Sequence, residues 1–140
     1  MAKVVIDANV IISAAYGGAP LEALVLALKE HEVYVSESIR RELENTFLKL
    51  SEKLSNEQII FIQERIHQVV AMATLVPVSL AVTLSRDPTD DHYLSLCQEV
   101  EADFLITGDK DLLAIYPEDL KKNDIPALIV TPKSFLARAL

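Results

Sequence analysis

Lys3-Val4-Val5-Ile6-Asp7-Ala8-Asn9 runs from a short apolar stretch straight into an aspartate, then an asparagine. An uninterrupted run such as Val4–Ile6, too short for a helix, is what a central parallel strand looks like when helices cover both its faces. In an open α/β sheet, ligands sit outside the carboxyl ends of the strands, where strand order reverses. Asp7 ends such a strand. Its importance depends on which other acids reach the same mouth of the sheet.

Outward from this strand, helices and strands alternate. Val10–Ala15 continues as a short helix, interrupted by Tyr16-Gly17-Gly18-Ala19-Pro20, and Leu21–Lys29 carries Leu21, Leu24, Val25 and Leu28 at helical spacing. Glu32–Val35 reads as a second strand, and Ser36 caps a helix to about Leu50. Ser55-Asn56-Glu57-Gln58 is a capping box opening an amphipathic helix, with Ile59, Ile62, Ile66, Val69, Val70 and Ala73 on one face. Leu75–Val78 and Ala81–Leu84 are expected as short strands. Asp87-Pro88-Thr89-Asp90 starts a helix to about Val100, with proline at the tolerated first position. Phe104–Thr107 is a buried strand ending at Gly108-Asp109. Helical stretches at Asp111–Ile115 and Pro117–Lys122, a strand at Ala127–Val130 and a helix over Pro132–Leu140 complete the pattern. The alternation predicts βαβ units in one three-layer α/β domain, with a mainly parallel sheet spanning residues 1–140.

Composition narrows the function. Hydrophobic residues make up 51% of 140, with three glycines and six prolines, which excludes overall disorder. No apolar run approaches the roughly 20 residues of a membrane span, and Met1-Ala2-Lys3 leads into a strand rather than a signal peptide. The single cysteine, Cys97, makes no internal disulfide and fits a reducing, cytoplasmic setting. A net charge of −8 disfavours broad attraction to nucleic acid, so a polyphosphate substrate would need bound cations.

Four acids are placed to converge. Asp7 ends the first strand, although an N-cap is its plainer role. Glu42 borders the apolar face of its helix beside Ile39, Leu43 and Thr46, where it needs a cation or donors, such as Arg41 or Lys49. Asp90 shares the core-facing side of its helix with Tyr93, Leu94 and Cys97. Asp91 does not, and is expected as a flanking acid or a ligand through water. Asp109 follows a strand across Gly108, facing the strand end with the Thr107 hydroxyl; Asp111 reads as a solvated or capping acid. Crowded carboxylates repel unless a counter-charge intervenes. An oxygen-only donor set selects Mg²⁺ or Mn²⁺. His31, His67 and His92 lie at none of these positions and are expected at the surface.

Val4–Ser13, Ser36–Leu43, Arg86–Leu94 and Leu105–Leu113 together resemble, in order, the four acidic motifs of PIN domains, over essentially the whole chain. The branch it is most similar to is the stand-alone prokaryotic, VapC-like group of toxin components from toxin–antitoxin pairs. The resemblance implies a metal-dependent endoribonuclease with strand order 3-2-1-4-5. It implies Asp7, Glu42, Asp90 or Asp91, and Asp109 as catalytic and metal-binding acids, with Asn9 and Thr107 as supporting or substrate contacts. It also implies an RNA substrate, a small antitoxin partner and a homodimer. Arg40, Arg41, Lys49 and Lys110 are the basic residues nearest the motifs. Two other readings compete. A phosphatase with a nucleophilic aspartate wants a second acid two residues on, where this chain has Asn9. A non-catalytic module would use the same carboxylates to bind a basic protein segment.

Overall fold

A computed structural model of the chain describes residues 1–79 and 82–138. Its sheet has five parallel strands in the order β3-β2-β1-β4-β5. The elements run β1 (Lys3–Ile6), α1 (Ala8–Ser13), α2 (Gly18–Glu30), β2 (Glu32–Val35), α3 (Glu37–Ser51), α4 (Asn56–Met72) and β3 (Thr74–Leu75). They continue with α5 (Asp91–Val100), β4 (Phe104–Ile106), α6 (Lys110–Leu113), α7 (Pro117–Lys122), β5 (Leu128–Val130) and α8 (Pro132–Arg138). The order 3-2-1-4-5 implied by the resemblance is the one observed.

Successive strand residues point to opposite faces, yet Val4, Val5 and Ile6 are all at most 1% exposed, so both faces of β1 are covered. α1–α4 and α8 form one mutually packed set, while α5 packs on β1 and β4. Burial of each such side chain is worth about 1.5–3 kcal/mol, which fixes β1 and β4 as the centre of the molecule. Because β1 lies between β2 and β4, the chain leaves β1 in one direction and enters β4 from the other. Asp7 stands at that switch point.

Several boundaries differ from those read in the sequence. α2 begins three residues earlier than Leu21, because Pro20 falls in the first turn, where its missing N–H costs nothing. Gly17, at φ +83°, makes the break before it, a conformation in which a side chain would be strained. Only Thr74–Leu75 forms the third strand, not Leu75–Val78. The expected strand at Ala81–Leu84 is not formed over Val82–Leu84; Leu80 and Ala81 lie outside the described residues. The α4 face is narrower than its periodicity suggests: Ile62 and Val69 are buried, whereas Val70 is 55% exposed. The end of the closing helix, Ala139–Leu140, lies outside the described residues. No single helix among the described residues is long and apolar enough to cross a membrane.

Candidate functional site

Asp7 is 2% exposed and does two jobs. Its Oδ1 accepts the Asn9 N–H at 2.9 Å, the cap expected of an aspartate before a helix. Its Oδ2 accepts the Thr107 hydroxyl at 2.7 Å from the end of the adjacent strand. The backbone ties these ends together, since the Asp7 N–H donates to Ile106 O at 2.9 Å and the Thr107 N–H to Val130 O at 2.8 Å. Thr107 therefore lies just past β4 rather than within it, fully buried. Burial pushes the Asp7 carboxyl above the usual carboxylate range, against the pull of the Thr107 and Asn9 donors.

Glu42 arrives from α3. Its partners are neither Arg41 nor Lys49. Arg40 and Arg41 instead face Glu37 at 3.6 and 3.8 Å on the exposed side of the helix. Glu42 Oε2 lies 3.1 Å from His92 Nε2 and 2.5 Å from the Tyr93 hydroxyl. Partial burial alone would raise the Glu42 pKa, but these two hydrogen bonds outweigh it and hold the carboxyl below its ordinary value.

The Tyr93 hydroxyl is the hinge of the cluster. It accepts the Ala8 N–H at 3.0 Å and also lies 3.1 Å from Asp7 Oδ1. With one proton to give, it serves Glu42 or Asp7 at any moment. Burial and both carboxylates push the phenol's own pKa far up, so it stays a neutral donor.

Asp90 closes the set from the N-terminal side of α5 and is 8% exposed. Its Oδ2 is buried without a hydrogen-bond partner among the described residues. Burial, a hydrogen bond with Asp109 and the charges of Asp109, Asp87 and Asp7 raise its pKa to about 7. Burial among like charges keeps the proton on Asp90 beyond the usual carboxylate range. Asp109 is held by its own loop: its Oδ1 accepts the Asp111 N–H at 2.7 Å, and its N–H donates to Thr107 Oγ1 at 3.0 Å.

Asp7, Glu42, Asp90 and Asp109 thus meet at one mouth of the sheet, each within electrostatic reach of at least two others. Asn9 donates its backbone N–H to the Asp7 cap while its side chain is exposed, and Thr107 braces Asp7. Asp91 is not an outward flanking acid. It is buried, and its Oδ1 accepts the N–H groups of Leu84 at 3.1 Å and Ser85 at 2.7 Å. Nor is His92 a surface histidine, since it reaches Glu42 and stacks on Tyr93 with ring centroids 4.0 Å apart.

Sequence reasoning missed Tyr93 and His92 as members of the site. Tyr93 carried a usable signal, because a phenol on a core-facing helix position needs a buried polar partner. His92 carried none. Among the described residues, no three carboxylate, imidazole or thiol groups stand as a ready-made metal cage. The Asp7 and Asp109 oxygens are instead engaged by Tyr93, Thr107 and the backbone N–H groups of Asn9 and Asp111.

A parallel α/β domain with four acids gathered at its switch point defines an acid-centred member of the doubly wound class. A family model described as the PIN domain matches residues 3–111, well over half of the chain. The chain belongs to the PIN-domain family, whose members are generally nucleases. No curated protein matches significantly in sequence. Solved structures share the fold at low identity. The structure of VapBC2 from Rickettsia felis bound to a DNA fragment from its promoter aligns with TM-score 0.57 and 14% identity, covering 92% of this chain and 98% of that one. A domain of a functionally unknown protein from Methanocaldococcus jannaschii gives 0.55 and 17%, covering 92% and 91%. PAE2754 from Pyrobaculum aerophilum gives 0.58 and 16%, covering 98% and 88%.

Proposed function

We propose that the chain is a Mg²⁺- or Mn²⁺-dependent endoribonuclease of the toxin–antitoxin kind, acting as one domain in the cytoplasm. The observation that carries this reading is the meeting of Asp7, Glu42, Asp90 and Asp109 at the strand ends of a PIN domain. The donor set suits a hard cation: it is oxygen-only, and it leaves one Asp90 oxygen buried and unpartnered among the described residues. Asp7, Glu42, Asp90 and Asp109 would hold the ion, with Asp91 kept to its structural clamp. A dication held there supplies an activated water and offsets charge developing on the phosphodiester. Thr107 and the Asn9 N–H fix the direction of the Asp7 carboxylate. Tyr93 and His92 set the rotamer of Glu42, and a cation bound there would favour the ionised form of Asp90. The exposed Asn9 side chain, two residues after Asp7, would contact the substrate.

A small antitoxin that covers this mouth, and a homodimer, complete the reading; support for the antitoxin is the fold shared with the VapBC2 structure. The non-catalytic module keeps one observation in its favour, the lack of a preassembled cage among the described residues. Cleavage of a panel of RNAs in Mn²⁺ separates the two. Asp7→Asn is expected to lower cleavage by about a hundredfold or more while leaving the fold intact. Full activity in that variant, or no metal-dependent cleavage of any RNA by the parent, would overturn the nuclease.

A further inference from the structure

The far edge of the sheet carries a feature that the acid cluster does not use. Among the described residues, β5 pairs only with β4. The Leu128 N–H donates to Asp103 O and Val130 O accepts from Thr107, so the peptide groups of Leu128 and Val130 turn inward to β4. The Ile129 N–H and C=O therefore turn outward, and no backbone partner meets them among the described residues. Unpaired strand edges are usually blunted by charge, proline or a covering element, because they invite another strand. β5 is short, with Pro126 and several charges nearby, yet an open groove of about 890 Å³ reaches Leu128 and Ile129 and is lined also by Leu113, Ile115, Leu120 and Ile125. Its rim is acidic. Glu101, Asp103 and Asp124 stand there against the single ammonium of Lys121. Glu101 and Asp124 make no salt bridge among the described residues.

We propose that the β5 edge and its groove dock an extended, basic segment of a protein partner, added to the sheet as a sixth strand. In such an addition, main-chain hydrogen bonds supply much of the affinity and alternate side chains supply specificity. Ile129 offers the donor and acceptor, the groove takes apolar side chains from one face of the segment, and the rim selects lysine or arginine on either side. A second copy of this chain is the poorer occupant, since it carries net charge −8 and would bring like charge to an acidic rim. None of Asp7, Glu42, Asp90 or Asp109 lines the groove, so the proposal stands apart from the nuclease reading.

The test uses the full chain and a fluorescein-labelled nonapeptide alternating valine or isoleucine with lysine or arginine. Anisotropy follows binding, and amide shifts locate it. Binding is expected to shift amides within Leu113–Lys121 and Asp124–Val130. It should be lost when the peptide backbone is N-methylated at alternate residues, and also when glutamate replaces the basic residues. The double variant Glu101→Gln, Asp124→Asn is expected to weaken it about fivefold to tenfold, as two screened charge pairs would. Glu101 and Asp124 both adopt φ +55°; glutamine is no more strained there than glutamate and asparagine tolerates it well, so this variant tests charge rather than folding. The proposal is overturned by no binding, by shifts centred on Asp7, Glu42 and Asp109, or by affinity indifferent to the double variant. Concentration-dependent dimers formed through the β5 edge would overturn it too.

Discussion

At the scale of single residues, the cluster stores a proton. The Asp90 pKa, raised from an ordinary 3.8 to about 7, means the folded chain binds that proton more tightly than the unfolded one does. Stability then falls as pH rises across that interval: the penalty is absent below about pH 4 and complete above about pH 7. Asp90→Asn mimics the protonated state without titrating. In chelator, urea unfolding should show its advantage over the parent chain growing between those limits and levelling off above them. Parallel pH profiles would mean that no such proton is held. Tyr93→Phe tests a different contact. It keeps the ring but leaves the buried Ala8 N–H without its acceptor, which should cost about 1–3 kcal/mol in urea unfolding. A smaller loss would mean that another group reaches Ala8. Neither residue's role shows in its letter alone. The Tyr93 phenol signals a need for a buried polar partner, but that Asp7 and Glu42 are the partners is settled only by the packing of α5 on β1 and the approach of Glu42 from α3.

Elements explain which expectations held. β1 and β4 were legible because a strand buried on both faces must be apolar at every position, and Val4–Ile6 and Phe104–Ile106 are. The region after α4 was not legible. Thr74 and Leu75 are both exposed at the sheet edge, so burial imposes no pattern there. The apolar run ending at Leu84 resembles a strand, yet its backbone is captured by α5, with the Val82 N–H on Ser95 Oγ at 3.0 Å and the Leu84 and Ser85 N–H groups on Asp91. Helical phase misplaced Asp91 for the same reason: the face pointing away from the sheet is covered by this returning loop. The clamp predicts its own signature. Asp91→Ala removes two charge-assisted hydrogen bonds and should cost about 2 kcal/mol or more, with the Leu84 and Ser85 amides losing hydrogen-exchange protection. Asp91→Asn keeps the acceptor oxygen and should cost clearly less. Equal losses in the two variants would assign the effect to charge at the helix N-terminus instead.

For the whole molecule, topology does what no local sequence signal does. Asp7 and Asp109 lie about a hundred residues apart in sequence, and the 3-2-1-4-5 order makes their strands neighbours. Charge works against the proposed substrate at the same scale. With net charge −8, RNA should bind weakly in chelator at any salt, and more tightly in Mg²⁺ with a shallow salt slope; filter binding across a salt series measures both. Strong, steeply salt-dependent binding in chelator would point to a basic surface and away from an ion-bridged site. The most direct test of the convergence itself is anomalous diffraction from crystals soaked in Mn²⁺. Peaks are expected within coordination distance of Asp7 and Asp109, with Glu42 and Asp90 as further ligands and Tyr93 displaced from Asp7. Peaks confined to other surface acids, with these four carboxylates still held by their present partners, would contradict it.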